Sequence, residues 1–155
     1  MLGKGRFLVE FFQGAAYVLF RLYRDFSRRE VTVTLREVKE ILDAYVHVGH
    51  DQLDMEVTTA FSADLMSDVL AHAKTKSLLL TGITNPQAVR TASILDIAAI
   101  ILVRDKQPPP GTIALAEELG IPVLSTKYIL FETSGRLYVN GIVGCIQKVV
   151  RDTST

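Results

Sequence analysis

Leu78-Leu79-Leu80-Thr81-Gly82-Ile83-Thr84-Asn85-Pro86-Gln87-Ala88-Val89-Arg90 is the stretch on which the fold turns. Its apolar run does not alternate with polar residues. A strand with that pattern is buried on both faces, as in a parallel sheet covered by helices. Asn85 can cap a helix with its side-chain oxygen, and Pro86 suits the first helical position, where no amide hydrogen is needed. The spacing therefore predicts a strand from Ser77 to Thr81 and a helix from Pro86 to about Leu95.

The same unit recurs on the C-terminal side. Ala98 to Val103 is a second continuous apolar strand. Pro108-Pro109-Pro110-Gly111 makes a stiff loop, and Thr112 to Leu119 reads as a helix stopped by Gly120. Ile121 to Leu124 is a third strand, ending at Ser125-Thr126, and Lys127 to Leu137 a further helix. On the N-terminal side, Thr34-Leu35-Arg36-Glu37 is a capping box, with Leu35, Val38, Ile41 and Leu42 on one helical face. Tyr45-Val46-His47-Val48 reads as a short strand ended by Gly49, and Met55 to Thr59 as another. Ser62 is expected to cap a helix through about Ala73, with Leu65, Met66, Val69 and Leu70 inward and Asp64 near its positive end. The expected fold class is α/β: a three-layer parallel sheet with helices on both faces.

The chain has 155 residues, 48% apolar and 22% charged, with a formal net charge of zero. That length suits one domain with a substantial core. Zero net charge argues against a general nucleic-acid binder or a polybasic membrane anchor. The single cysteine, Cys145, excludes an internal disulfide and a Cys-rich zinc site, and a reducing, cytoplasmic location is expected.

The first 33 residues stand apart as an N-terminal extension. Phe7, Phe11, Phe12, Tyr17, Phe20, Tyr23 and Phe26 are interrupted by Glu10, Gln13, Arg21 and Arg24. That is too charged for the ~20 apolar residues of a membrane span, and Glu10 spoils a signal peptide. The apolar positions fall near helical spacing, so a native segment would be an amphipathic helix for a membrane surface or a partner. Alternatively, translation starts at Val33 from a GTG codon, because Arg28-Arg29-Glu30 can be encoded AGG-AGG-GAG, a bacterial ribosome-binding sequence. Both readings fit the shift in composition. Residues 34–141 form the expected domain, and 142–155 a C-terminal helix, Ile142 to Val150, and tail.

Ligands of parallel sheets sit where strands deliver their C-terminal ends. Three such ends are legible: Thr81-Gly82, Arg104-Asp105 and Ser125-Thr126. The candidate ligand-binding residues are Thr81, Gly82, Thr84, Asn85, Arg104, Ser125 and Thr126. Thr81, Thr84 and Ser125 would donate hydrogen bonds, and Gly82 would clear space. The amides after Asn85 would face negative charge. The competing explanation is a plain helix cap with hydroxyls satisfying nearby backbone. No G-x-x-x-x-G-K-[ST] or G-x-G-x-x-G motif occurs, so phosphoryl transfer from ATP lacks its usual cradle. His47 and His50 lack a third metal ligand, His72 reads as solvated, and Cys145 as a small filler. Asp64 and Asp68 read as a solvated acidic edge. No catalytic, metal or cofactor residues are assigned.

Asp64-Leu65-Met66-Ser67-Asp68-Val69-Leu70, Leu79 to Gln87, Leu124-Ser125-Thr126-Lys127-Tyr128, Phe131-Glu132 and Gly135-Arg136-Leu137-Tyr138 together resemble stand-alone DRTGG-domain proteins. That domain type is similar to the N-terminal domain of HPr kinase/phosphorylase and to the middle domain of some phosphate acetyltransferases. The resemblance spans Thr34 to Gly141, although the five letters of the name do not occur. It implies a parallel α/β domain used as a regulatory or ligand-sensing module. It does not support a serine kinase label, since catalysis in HPr kinase belongs to a separate domain with a phosphate loop. It also suggests an accessory role beside bacterial redox and hydrogenase systems.

The expectation is thus a non-catalytic sensor that binds a small anionic metabolite or nucleotide at the strand ends, as a homo-oligomer or on a partner protein. A pure protein-interaction module is the alternative, and a small enzyme the remaining one. No nucleic-acid partner is expected, and no membrane partner unless the aromatic N-terminus is native.

Overall fold

The computed structural model describes residues 18–19 and 32–150. The chain divides into two compact units, Met1–Val31 and Thr32–Thr155. In the first, Val18 and Leu19 are helical. The rest of the aromatic segment and the proposed ribosome-binding codons lie outside the described residues.

The second unit is built on a six-stranded sheet in the order β2-β7-β6-β5-β4-β8. Its strands are β2 (Tyr45–Val48), β4 (Thr59–Ser62), β5 (Leu78–Thr81), β6 (Ala99–Leu102), β7 (Val123–Ser125) and β8 (Val143–Gly144). A separate antiparallel ribbon pairs β1 (Val33–Thr34) with β3 (Glu56–Val57). The helices are α1 (Leu35–Ile41), α2 (Met66–His72), α3 (Pro86–Ile94), α4 (Pro110–Leu119) and α5 (Leu130–Val139). From β7 to β8 all neighbours are parallel, and β2 alone runs antiparallel, against β7.

The stretch that opens the sequence argument forms β5 and α3. Successive strand side chains point to opposite faces. Leu78 and Leu80 therefore enter one core with α1 and α5, where Leu35, Val38, Leu42 and Leu137 also lie. Leu79 enters the other with Met66, Val69, Ala88, Val89, Ala92 and Ala116 from α2, α3 and α4. The three leucines are 0–1% exposed. Burying each contributes about 1.5–3 kcal/mol. Helices on both faces make the three-layer α/β architecture, with β2 as an antiparallel edge. Its half-exposed pattern is that of an edge strand, since Tyr45 is exposed while Val46 and Val48 are buried.

The local caps form as their residues dictate. Thr34 and Glu37 make the reciprocal capping box. Asn85 Oδ1 accepts from the Gln87 amide. Gly120 closes α4 in the left-handed region at φ 66°. Gly49 ends β2 at φ 89°, and a Cβ there would lie 2.8 Å from Pro122 Cβ.

Three elements differ from the sequence reading. Met55 to Thr59 is not one strand: Glu56–Val57 pairs with β1, and the chain then joins the main sheet from Thr59. Ser62 ends β4 rather than capping a helix, and its hydroxyl meets Ser134 Oγ on α5 at 2.9 Å. Helix α2 starts at Met66 without a side-chain cap, which leaves Leu65 and Leu70 exposed while Met66 and Val69 are buried. The predicted helix from Ile142 is instead the edge strand β8, drawn onto β4 by parallel pairing and by Cys145 N–H donating to Ala60 O at 3.0 Å. No helix among the described residues is long and apolar enough to cross a membrane.

Candidate functional site

The C-terminal ends of β4, β5, β6 and β7 open on one edge of the sheet, and two arrangements of polar groups occupy it. The first is centred on Asp64, in the loop after β4. Its Oδ1 accepts the Gly82 amide at 2.6 Å and the Thr81 hydroxyl at 3.1 Å. The Arg104 guanidinium approaches Oδ2 at 3.4 Å. The Gly82 amide above all, then Thr81 and Arg104, hold the Asp64 carboxyl below the ordinary carboxylate range, against a partial opposing effect of burial. A Cβ at Gly82 would overlap the end of the flexible Arg104 side chain, so a larger residue there would displace the guanidinium.

Arg104 reaches this position through an unusual backbone. Arg104 and Asp105 stand consecutively in the left-handed region, at φ 62° and 55°. Neither has the freedom of glycine, and such a conformation costs roughly 1–2 kcal/mol per residue. Two hydrogen bonds to the loop after β7 hold the turn: Arg104 N–H to Tyr128 O at 2.9 Å and Asp105 N–H to Thr126 O at 2.8 Å. Arg104 is thereby turned toward Gly82 and Asp64, while Asp105 lines the second arrangement.

That second arrangement is an open depression of about 290 Å³ lined by Asp43, Tyr45, Asp105, Gln107, Ser125 and Lys127. Ser125 meets His47 Nε2 at 2.8 Å. Burial first, and then the neighbouring His50, lowers the His47 pKa, so the imidazole is biased toward its neutral form. A serine and a neutral imidazole at this distance have the geometry of a nucleophile and its base. Among the described residues, however, no carboxylate bonds the imidazole to orient it.

The seven predicted residues all lie at or beside this edge, but in different states. Thr81 is fully buried and committed: it donates to Asp64 and accepts from the Ile83 amide at 3.1 Å. Thr126 is equally committed, donating to Leu42 O at 2.7 Å and accepting from the Tyr128 amide at 3.3 Å. Asn85 caps α3. Gly82 and Arg104 belong to the Asp64 cluster, Ser125 to the depression, and Thr84 is half-buried beside Gly82. The sequence reading missed Asp64, which is not a solvated acidic edge but the hub of the first cluster. Its position just beyond a strand end was the available signal. His47 is half-buried rather than a surface histidine, and Tyr45, Asp43, Gln107 and Lys127 were not singled out. Among the described residues no three His, Cys, Asp or Glu side chains converge as a metal site.

A family model described as the DRTGG domain matches residues 37–138. Comparison with curated proteins finds no match. Among solved structures, the chain is similar to the CBS and DRTGG domains of the regulatory region of Clostridium perfringens pyrophosphatase, a structure complexed with its activator diadenosine tetraphosphate. The TM-score is 0.55 at 18% identity, with 70% of this chain and 47% of that chain covered. This chain therefore spans about half the length of that chain, and the likeness concerns the fold.

Proposed function

The chain belongs to the DRTGG-domain family, and on that footing we propose that it is a non-catalytic regulatory domain that binds a small anionic metabolite or nucleotide at the strand ends. The observation that carries this reading is Arg104. Its backbone is held in a costly conformation that directs a half-exposed guanidinium over a glycine at a strand end. Strain of this kind concentrates at functional positions. Among the described residues the one carboxylate it meets is 3.4 Å away, and most of its five donors face no described partner and are offered to a phosphate or carboxylate. Asp64 already fills the place of an anion on the Gly82 amide, and an incoming anion would add to Arg104 and compete with Asp64.

The nucleotide activator of the pyrophosphatase regulatory region makes a nucleotide the first ligand to try. Cytoplasmic location, argued from the lone Cys145, is part of the same reading. The test is calorimetric titration of the full chain with inorganic tripolyphosphate. Arg104→Gln is expected to weaken binding about 10- to 100-fold, the worth of a charge-assisted hydrogen bond. Gly82→Ala, which pushes the guanidinium aside through its flexible end, should weaken it in the same direction. Unchanged affinity in both variants would sink the reading.

A second reading, a protein-interaction module, is favoured by α5. Phe131 on that helix is 83% exposed, with Tyr138 58% exposed two turns on. Silence in the titration of the wild-type chain would favour it.

A further inference from the structure

The two arrangements at the sheet edge differ in what they offer. Polar donors of the Asp64 cluster are mostly spoken for, apart from the outward side of Arg104. The depression instead gathers groups with little to bond. Among the described residues, neither the Asp43 carboxylate nor the Lys127 ammonium has a hydrogen-bond or ion-pair partner. The Asp105 carboxylate meets, among the described residues, only the Gln107 side-chain amide, at 3.5 Å. Tyr45 leaves 67% of its surface uncovered beside them.

We infer that this depression is the nucleoside subsite of the strand-end ligand site, with Tyr45 stacking on the base and the Asp43 and Asp105 carboxylates accepting the ribose hydroxyls. The inference rests on the anion-binding reading and names the ligand class more closely, as a ribonucleotide. Three features carry it. An ionised carboxylate is an acceptor only, so two of them suit a diol and repel a phosphate. Phosphate is therefore turned away from Asp43 and Asp105 and lies on the side of Lys127 and Arg104. Arg104 and Asp105 are consecutive in one left-handed turn, and send their side chains to different arrangements. That turn sets the order of the ligand: phosphate at residue 104, ribose at residue 105. Finally, an exposed tyrosine ring at the wall gives a flat apolar surface on which any base can stack, a contact that tolerates different bases. A volume of about 290 Å³ is at the small end for ligand sites and suits one nucleoside unit rather than two.

The test is calorimetric titration of the full chain with tripolyphosphate, the four ribonucleoside triphosphates and their 2′-deoxy counterparts. At least one ribonucleotide should bind about tenfold or more tighter than tripolyphosphate, and its deoxy form should lose several-fold. Tyr45→Ala and Asp105→Asn should bring that ribonucleotide down to the level of tripolyphosphate, without weakening tripolyphosphate itself. Asn tolerates the left-handed backbone at 105, and Tyr45 is exposed, so both variants keep the fold, which a melting curve checks. If tripolyphosphate binds and no nucleoside triphosphate binds better, the nucleoside subsite is overturned while the anion reading stands. If nothing binds the wild-type chain, both fall together.

Discussion

The two halves of the sheet edge use the same kinds of residue to opposite ends. At β4 and β5, an acid, a threonine and a backbone amide close on one another, and Asp64 takes the bonds that a ligand anion would take. At β2 and β7, two acids and a lysine stand around a depression without closing on one another. A polar residue at a strand end is therefore not evidence of a ligand by itself. What matters is whether its bonding capacity is already used within the fold. Thr126 makes the same point inside the loop after β7, where its neighbour Ser125 lines the depression while Thr126 itself faces the core.

Removing a committed hydroxyl should give the largest effect and should concern stability alone. Thr126→Val leaves Leu42 O without its donor and Tyr128 N–H without its acceptor, both in poorly hydrated surroundings. Leaving a buried polar group unsatisfied costs about 1–3 kcal/mol. Thermal unfolding should show a fall of several degrees in Tm, with anion affinity unchanged in the folded fraction. A variant that melts like the wild type but loses its ligand would reverse the assignment of Thr126 as structural.

Asp64→Asn tests whether the closed half can be opened. The side chain keeps an oxygen for the Gly82 amide but loses the charge that competes with a ligand anion. Tripolyphosphate affinity should rise several-fold, with little change in the folded backbone. The substitution should also change the acid limb of stability. Because the folded carboxyl lies below its ordinary value, its contribution is complete above the unfolded pKa, about 4, and is lost as pH falls through the folded value. The variant should lack that loss. Tripolyphosphate affinity that drops in Asp64→Asn would mean that Asp64 supports the anion site rather than occupying it.

Much of the scaffold behind the edge was legible locally. An unbroken run of leucines, an Asn-Pro helix start and a capping box are each set by neighbours within four residues, and each appears where the sequence puts it. What was not legible depends on distant pairing. Residues 143–144 join the sheet because β4 is there to pair with, and β4 itself is a short, half-buried strand whose pattern does not separate from its surroundings. Asp64 looks like a helix-start acid to its sequence neighbours, and only the fold brings Gly82 and Arg104 to it. The depression draws on the turn after α1, the first residue of β2 and two later loops, so no motif could announce it.

The smallest expected effect separates the two halves by pH. His47, whose Nε2 meets Ser125, has its folded pKa below the ordinary histidine value because charging it costs burial first and repulsion from His50 second. An unfolded chain then binds that proton more readily than the folded one. Stability is complete above the unfolded pKa, near 6.5, falls as pH drops below it, and levels off once the folded histidine is also protonated. Solvent screening of a half-exposed ring keeps this term small. A proton on His47 also obliges Nε2 to donate to Ser125, which turns the serine hydroxyl hydrogen away from it and toward other acceptors. Affinity for a ligand in the depression should therefore change below about pH 6.5, while Asp64, held below the ordinary carboxylate range, stays ionised over that range. The imidazole signals of His47 in an NMR titration give its pKa directly, and His47→Gln should flatten both the stability and the affinity profiles. A His47 pKa at or above 6.5 would remove the contrast, and with it the claim that burial holds this half of the edge in its neutral form.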